Sequence, residues 1–347
     1  MQVALKIWRY DASSGERALR EYEIEVGEEA TLLDCLDAVK DKVDGTLAYR
    51  KSCRMMICGS CGMRMDGRAI LACKERMKPL ADAGRVPVIS AMGNMPVIKD
   101  LVVDMAPFWS KIRAMKPWLQ PGYEEHPEKE FVISPERMEP IHKESLCIMC
   151  GCCVSECNSM ESDPEFLGPV ALAKGFRFVG DARDKATVER LEAYNEEHGI
   201  WDCTRCYFCN ERCPKGVDPR DAIAKLGAES IKEGIDRDMG AKHARWFVHS
   251  AKTTGWLRET ELVPKTQGVL NALKDYKLAI SLAKHGKVPP PFPPHVAKDV
   301  KEARALHELT KAQGRAGSAG IVQGEKGLAR AAHANEAALE ARKERSQ

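Results

Sequence analysis

Residues 52–73 read SCRMMICGSCGMRMDGRAILAC, and the four cysteines in this stretch form a pattern. Cys53 is followed by four residues, Cys58, two residues, Cys61 and then eleven residues before Cys73. C-x4-C-x2-C with a distant fourth cysteine is the plant-type spacing for a [2Fe–2S] cluster. Gly59 and Gly62 let the loop wrap closely and aim backbone N–H groups at cluster sulfurs. Zinc is the competing occupant, but structural zinc sites favour paired C-x2–4-C knuckles.

Further along the chain stand two more dense runs. Cys147, Cys150, Cys153 and Cys157 follow the spacing C-x2-C-x2-C-x3-C, and so do Cys203, Cys206, Cys209 and Cys213, the latter trailed by Pro214. In two-cluster proteins with this run, the fourth cysteine ligates the other cluster. One [4Fe–4S] cluster is therefore assigned to Cys147, Cys150, Cys153 and Cys213. The other centre takes Cys157, Cys203 and Cys209, with Cys206 available as its fourth ligand. Three clusters with four ligands each use twelve of the fourteen cysteines, leaving Cys35 and Cys152. Cys35 lies in the amphipathic stretch TLLDCLDAVKDKV and reads as a small core residue. Cys152 sits between two ligands, where the loop should point it away from the cluster.

The 347 residues are 44% hydrophobic and 30% charged, the composition of a soluble globular protein of two or three domains. A net charge of +2 argues against a nucleic-acid partner. No run approaches the roughly 18 apolar residues of a membrane span. The start, MQVALKIWRYD, has neither the basic nor the apolar region of a signal peptide, so a reducing compartment is expected. There is no nucleophile with a paired base and no glycine-rich phosphate loop. His142, His198, His243 and His249 are scattered and read as surface or core residues. No catalytic residue is assigned: the evident chemistry is one-electron transfer through three centres, with the two-electron step on another subunit.

The β-rich segments VALKIWRYD and REYEIEV flank a turn, a helix capped by Thr31 follows, and RVPVIS is a further strand. The expected organisation is a first domain over residues 1–100, a connection over 101–145 containing Trp109 and Trp118, a helical domain over 146–285, and a Pro-rich break with a helical or flexible tail over 286–347.

This order of motifs in a chain of this size resembles the iron–sulfur subunit of succinate dehydrogenase and fumarate reductase. The likeness runs from residue 1 to about 235 and rests on the loop of Cys53–Cys73, on CIMCGCC with Cys157, and on Cys209 through CPKGVDP. It implies an α+β protein: an N-terminal β-grasp plant-type ferredoxin domain followed by an α-helical dicluster ferredoxin domain. It also implies an FAD-containing flavoprotein partner, a membrane anchor or a CCG-domain subunit, and a quinone or other acceptor at a subunit interface. The expected location is peripheral, on the cytoplasmic face of the membrane, through those partners. Two departures stand out. Cys206 occupies a position where the family usually has no cysteine and a [3Fe–4S] cluster, so a second [4Fe–4S] cluster is expected here, the alternative being a [3Fe–4S] cluster with Cys206 turned away. The family's Pro-Ser-x-Trp-Trp stretch and its histidine are replaced by Asn158–Ser162 and Thr204, so no quinone-site residue carries over. Residues 243–259 and KHGKVPPP also resemble the helical half of heterodisulfide-reductase-type subunits; otherwise Trp246, Phe247 and Trp256 would pack in a core. Two other readings remain open. One is an iron–sulfur subunit of a different flavoprotein oxidoreductase, heterodisulfide-reductase-like or acting on 2-hydroxy acids, against which the plant-type loop speaks. The other is an iron–sulfur redox sensor, which three clusters in series do not suit.

Overall fold

The computed structural model describes residues 1–11, 13–121, 130–287 and 296–309. Strand β1 (Gln2–Asp11) alternates inward Val3, Leu5 and Ile7 with outward side chains, the period-two signature of a half-buried strand. It pairs antiparallel with β2 (Glu16–Glu25) along its full length, from Gln2 opposite Glu25 to Asp11 opposite Glu16. Helix α1 (Leu32–Lys42) begins at Thr31, whose hydroxyl accepts from the Asp34 N–H while the Asp34 carboxylate accepts from the Thr31 N–H. That reciprocal cap satisfies two N–H groups a helix start leaves orphaned. Leu32, Leu33, Cys35, Leu36 and Val39 form its buried face, which makes Cys35 a core residue.

Five short strands complete the sheet: β3 (Gly62–Met65), β4 (Arg68–Leu71), β5 (Val88–Ser90), β6 (Val97–Lys99) and β7 (Val102–Val103). The order is β4-β3-β5-β1-β6-β7, with β2 beside β1 and β5 parallel to β1. Arg9 takes the next inward position of β1, where an apolar side chain would be expected. Its guanidinium meets Asp100 at 2.9 Å, Tyr22 Oη at 2.6 Å, Asp44 at 2.5 Å and Thr46 at 3.0 Å. Asp100 also accepts from the Ala48 N–H. A buried cation is tolerated when paired and hydrogen-bonded in this way.

The segment read as a connection is in part a helix, α2 (Ala106–Ala114). Pro107 stands in its first turn, where a missing N–H costs nothing. Phe108 and Ile112 are buried. α2 packs against α3 (Pro169–Val179), which also contacts α4 (Thr187–Tyr194) and α5 (Pro219–Lys232). Arg190 of α4 fastens the chain after α2: it pairs with Asp184 at 2.9 Å and donates to the carbonyls of Met115, Lys116 and Trp118. The described residues of 1–131 and 139–233 form one compact unit.

The helical domain expected to run to residue 285 therefore stops near 233. Described residues from 234 onward gather with 132–138 in a second unit. There α6 (Met239–Thr254) packs against α7 (Glu259–Gln267), and the helix over residues 300–309 is tied to α6 by Arg304, which donates to the carbonyls of Lys252 and Thr253. Phe247 and Trp256 are exposed rather than core residues. Helix α8 (Tyr276–Lys284) follows. The proline run and the tail beyond residue 309 lie outside the described residues.

Candidate iron–sulfur centres

The first cysteine group sits in the loop between α1 and β3 and at the end of β4. Positive φ values at Arg54, Met56 and Gly59 curl the loop, turning its amides inward. The N–H groups of Met55, Ile57 and Cys58 donate to Cys53 Sγ, those of Cys53 and Ser60 to Cys58 Sγ, and that of Met56 to Cys73 Sγ, at 3.2–3.5 Å. Cys61 is close enough to Cys73 and Cys58 for both to raise its thiol, although burial is the larger cause and takes it to about 12. At Cys58 burial opposes ionisation, but the Ser60 hydroxyl and the N–H groups of Cys53 and Ser60 outweigh it and bring the thiol down to about 6. N–H groups aimed at sulfur stabilise thiolate and tune a cluster held there.

Cys147, Cys150, Cys153 and Cys213 line a single cavity, walled otherwise by Lys215 and by apolar groups including Ile148, Val170, Ala173 and Val217. Left-handed Met149 and Gly151 shape its loop. The Val217 N–H donates to Cys213 Sγ at 3.3 Å. Burial pushes the Cys153 thiol well up, whereas hydrogen bonding with Cys152, aided by Lys215, outweighs burial at Cys150 and brings its thiol down to about 7; a bound iron centre would hold the buried sulfurs as thiolates. The donor set and wall fit an iron–sulfur cluster. Cys152 does not line this cavity. It is buried in the core of the N-terminal sheet, with Sγ 3.7 Å from the Ile70 carbonyl.

In the third group, Cys203, Cys157 and Cys206 lie near enough to Cys209 to add to the burial that pushes its thiol up to about 12. Cys206 acts on Cys157 and Cys203 in the same way. The loop turns through left-handed Arg205 and Tyr207. Cys206, Tyr207 and Phe208 are exposed, while Cys209 is buried. The Thr204 N–H donates to Ser159 Oγ at 3.1 Å, so the Asn158–Ser162 segment braces the third group. Beside the Cys157 loop lies a cavity of about 380 Å³, lined by Met95, Phe108, Met160, Leu167, Lys111 and Glu161 among others.

Several residues that hold these loops carry no sequence signal. Arg64 of β3 donates through Nε to Ser155 Oγ at 3.0 Å and to Glu156 at 2.9 Å, and its Nη2 donates to the Ser155 carbonyl. Asn94 Nδ2 donates to the carbonyls of Val154 (2.8 Å) and Cys157 (2.9 Å). Both fix the second cysteine run against the N-terminal sheet. Their partners lie 60 or more residues away, so no local pattern could reveal them. Among the scattered histidines, His198 is an ion-pair residue, with Nδ1 2.7 Å from Asp163 and Nε2 3.0 Å from Glu165.

A sheet bearing a cysteine loop, joined to helices that present two interleaved cysteine runs, defines a ferredoxin-type electron carrier with three centres. A family model for a 2Fe-2S iron-sulfur cluster binding domain matches residues 4–110, and one for a 4Fe-4S dicluster domain matches residues 144–217. The fumarate reductase iron-sulfur subunit of Haemophilus influenzae is 36% identical over 243 residues, covering 67% of this chain and 94% of the relative. The 8-methylmenaquinol:fumarate reductase iron-sulfur subunit of Wolinella succinogenes is 33% identical over 290 residues, covering 81% and 89%. Among solved structures, a chain of the Mycobacterium smegmatis Sdh1 complex in the apo form matches with a TM-score of 0.62 at 25% identity, covering 68% of this chain and 98% of that one. The chain belongs to the iron–sulfur subunit family of succinate dehydrogenase and fumarate reductase. It is an electron-transfer subunit, and the family carries three clusters. Members are parts of multi-subunit, membrane-associated complexes. No helix among the described residues is long and apolar enough to cross a membrane.

Proposed function

We propose that this chain carries electrons between an FAD-bearing partner, where succinate and fumarate interconvert, and a quinone or other acceptor at the membrane. When bound, the clusters supply the one-electron steps between those two sites. Cys53, Cys58, Cys61 and Cys73 hold the [2Fe–2S] cluster. Cys147, Cys150, Cys153 and Cys213 hold the first [4Fe–4S] cluster, and Cys157, Cys203, Cys206 and Cys209 hold a second. Without Cys206 that last centre would be [3Fe–4S]. The backbone N–H groups around Cys53 and Cys58 stabilise negative charge on sulfur, and mostly apolar side chains wall Cys147 and Cys153.

The supporting observation is the direct abutment of two ligand loops, in which Gly59 lies against Cys150. That contact suits a carrier whose centres work in series. The Wolinella succinogenes relative is named for 8-methylmenaquinol, and its match covers enough of this chain to reach the second unit. This favours a naphthoquinol-type molecule at the membrane end. The cavity beside the Cys157 loop offers room for such a ring system. The chain sits on the cytoplasmic face, held by the flavoprotein and by an anchor or CCG-domain subunit.

The test is an anaerobic pull-down of this chain from native membranes, with subunit identification and a succinate–dye assay on the eluate. A covalent-FAD partner and succinate-dependent dye reduction are expected. A different flavoprotein, with no succinate activity despite full cluster content, overturns the substrate while leaving the carrier role intact.

A further inference from the structure

Helix α8 is exposed at every residue, although most of its side chains are apolar. Tyr276, Leu278, Ile280 and Leu282 are 52, 59, 50 and 39% exposed. At about 100° per residue, Leu278, Leu282, Ala279, Ala283, Tyr276 and Ile280 fill a continuous arc of roughly 200°. Lys277, Ser281 and Lys284 share the remaining face. An isolated helix of nine residues is marginal in water, so this apolar arc needs a cover.

Two features say what covers it. The first is the width of the arc. A helix facing a protein core needs an apolar stripe of at least about 100°; an arc about twice that width suits a helix that sets its whole apolar face into a lipid interface. The second is charge. The stretch from Leu270 to Lys287 carries Lys274, Lys277, Lys284 and Lys287 against Asp275 as its one acidic residue. A basic amphipathic helix is matched to an anionic bilayer surface. Lysines flanking an apolar arc can lay their methylenes along it and keep their ammonium groups at the headgroups. At about 1.5 Å per residue the helix is far too short to span a bilayer, so it would lie in its plane.

We propose that α8 lies in the plane of an anionic membrane surface with its apolar arc in the acyl boundary. The chain then touches lipid directly, beyond whatever its partner subunits supply.

The test is flotation of the full-length, cluster-loaded chain with vesicles of phosphatidylcholine alone and of equal parts phosphatidylcholine and phosphatidylglycerol. Binding to the mixed vesicles, weakened by salt, is expected. Ile280→Glu should lower that binding by about tenfold or more, since it puts a charge where an isoleucine was buried. Lys277→Gln with Lys284→Gln should weaken binding to the anionic vesicles only. Because α8 is outside the cluster-bearing unit, the visible spectrum should stay unchanged in both variants. Equal flotation with and without mixed vesicles overturns the proposal, as does an Ile280→Glu variant that floats like the parent. Retention in native membranes by a chain that ignores vesicles would mean a protein partner covers α8, which also overturns it.

Discussion

Gly59 and Cys150 are in such close contact that a Cβ placed on Gly59 would stand 2.8 Å from both Cα and Cβ of Cys150. Gly59 belongs to the first cysteine loop and Cys150 to the second, and Gly59 also has a φ of +73°. No side chain fits there without moving one ligand loop away from the other.

Gly59→Ala should therefore cost twice, in left-handed strain and in displacement of the Cys150 loop. A loss of about 1–3 kcal/mol in stability is expected, read as a lower denaturant midpoint. Electron passage from the first centre to the second should also slow, because the loops separate. Rapid-freeze EPR would show the [2Fe–2S] centre staying reduced for longer. An unchanged rate would show that the contact does not set the spacing.

Cys206→Ser should convert the third centre from a cubane to a [3Fe–4S] cluster, visible as an oxidised-state EPR signal in anaerobically purified protein. The other two centres should keep their spectra. A cubane that survives the substitution would remove Cys206 from the ligand set.

Arg220 lies over the Tyr207 ring at 4.5 Å, beside the third group, and its buried Nε has no partner among the described residues. A nearby cation stabilises the reduced form of a cluster. Arg220→Gln should lower the midpoint potential of the third centre and leave the [2Fe–2S] potential unchanged. EPR-monitored redox titration reads both.

The Arg190–Asp184 pair is nearly free of solvent on both sides. Arg190→Ala would strand the Asp184 charge and take the donor from the Trp118 carbonyl, while the Met115 and Lys116 carbonyls keep Tyr194 Oη and the Trp118 N–H, so destabilisation of about 3–5 kcal/mol is expected. Asp184→Asn in the same background should recover part of that loss. Additive losses would mean the two side chains act separately.

His198 is held by Asp163, whose hydrogen bond raises the imidazole above its ordinary value, and Glu165 adds to this. Asp202 lies within reach and Lys111 acts on Asp163. A raised folded-state pKa gives stabilisation that is complete below the unfolded value of about 6.5 and is lost as pH rises through the folded one. The melting temperature should thus fall as pH rises above about 6.5 and through the raised folded-state value. His198→Asn tolerates the left-handed backbone at that site and should flatten that part of the profile. A parent-like profile in the variant would assign the dependence elsewhere.

Much of this architecture could be read locally. The β1–β2 hairpin, the Thr31 cap and the inward face of α1 follow from alternation, capping and helical spacing within a few residues. Helix α2 was hidden by its proline, because Pro107 sits in a first turn, where proline starts a helix rather than breaking it. The end of the first unit near residue 233 left no mark in composition. It depends on which helices contact one another, and amphipathic stretches on both sides of it look alike.

The sequence by itself determined how many centres there are, their order and their candidate ligands, because cluster chemistry demands cysteines at fixed short spacings. Tertiary structure decided what spacing cannot express. It sent Cys152 into the sheet core while its neighbour Cys153 faces the cavity, brought Gly59 against Cys150, and recruited Arg64 and Asn94 from the other domain. It also left the apolar arc of α8 uncovered. The first three are contacts between residues far apart in the chain, the last is the lack of one among the described residues, and burial and hydrogen-bond partners of that kind are set only once the chain has folded.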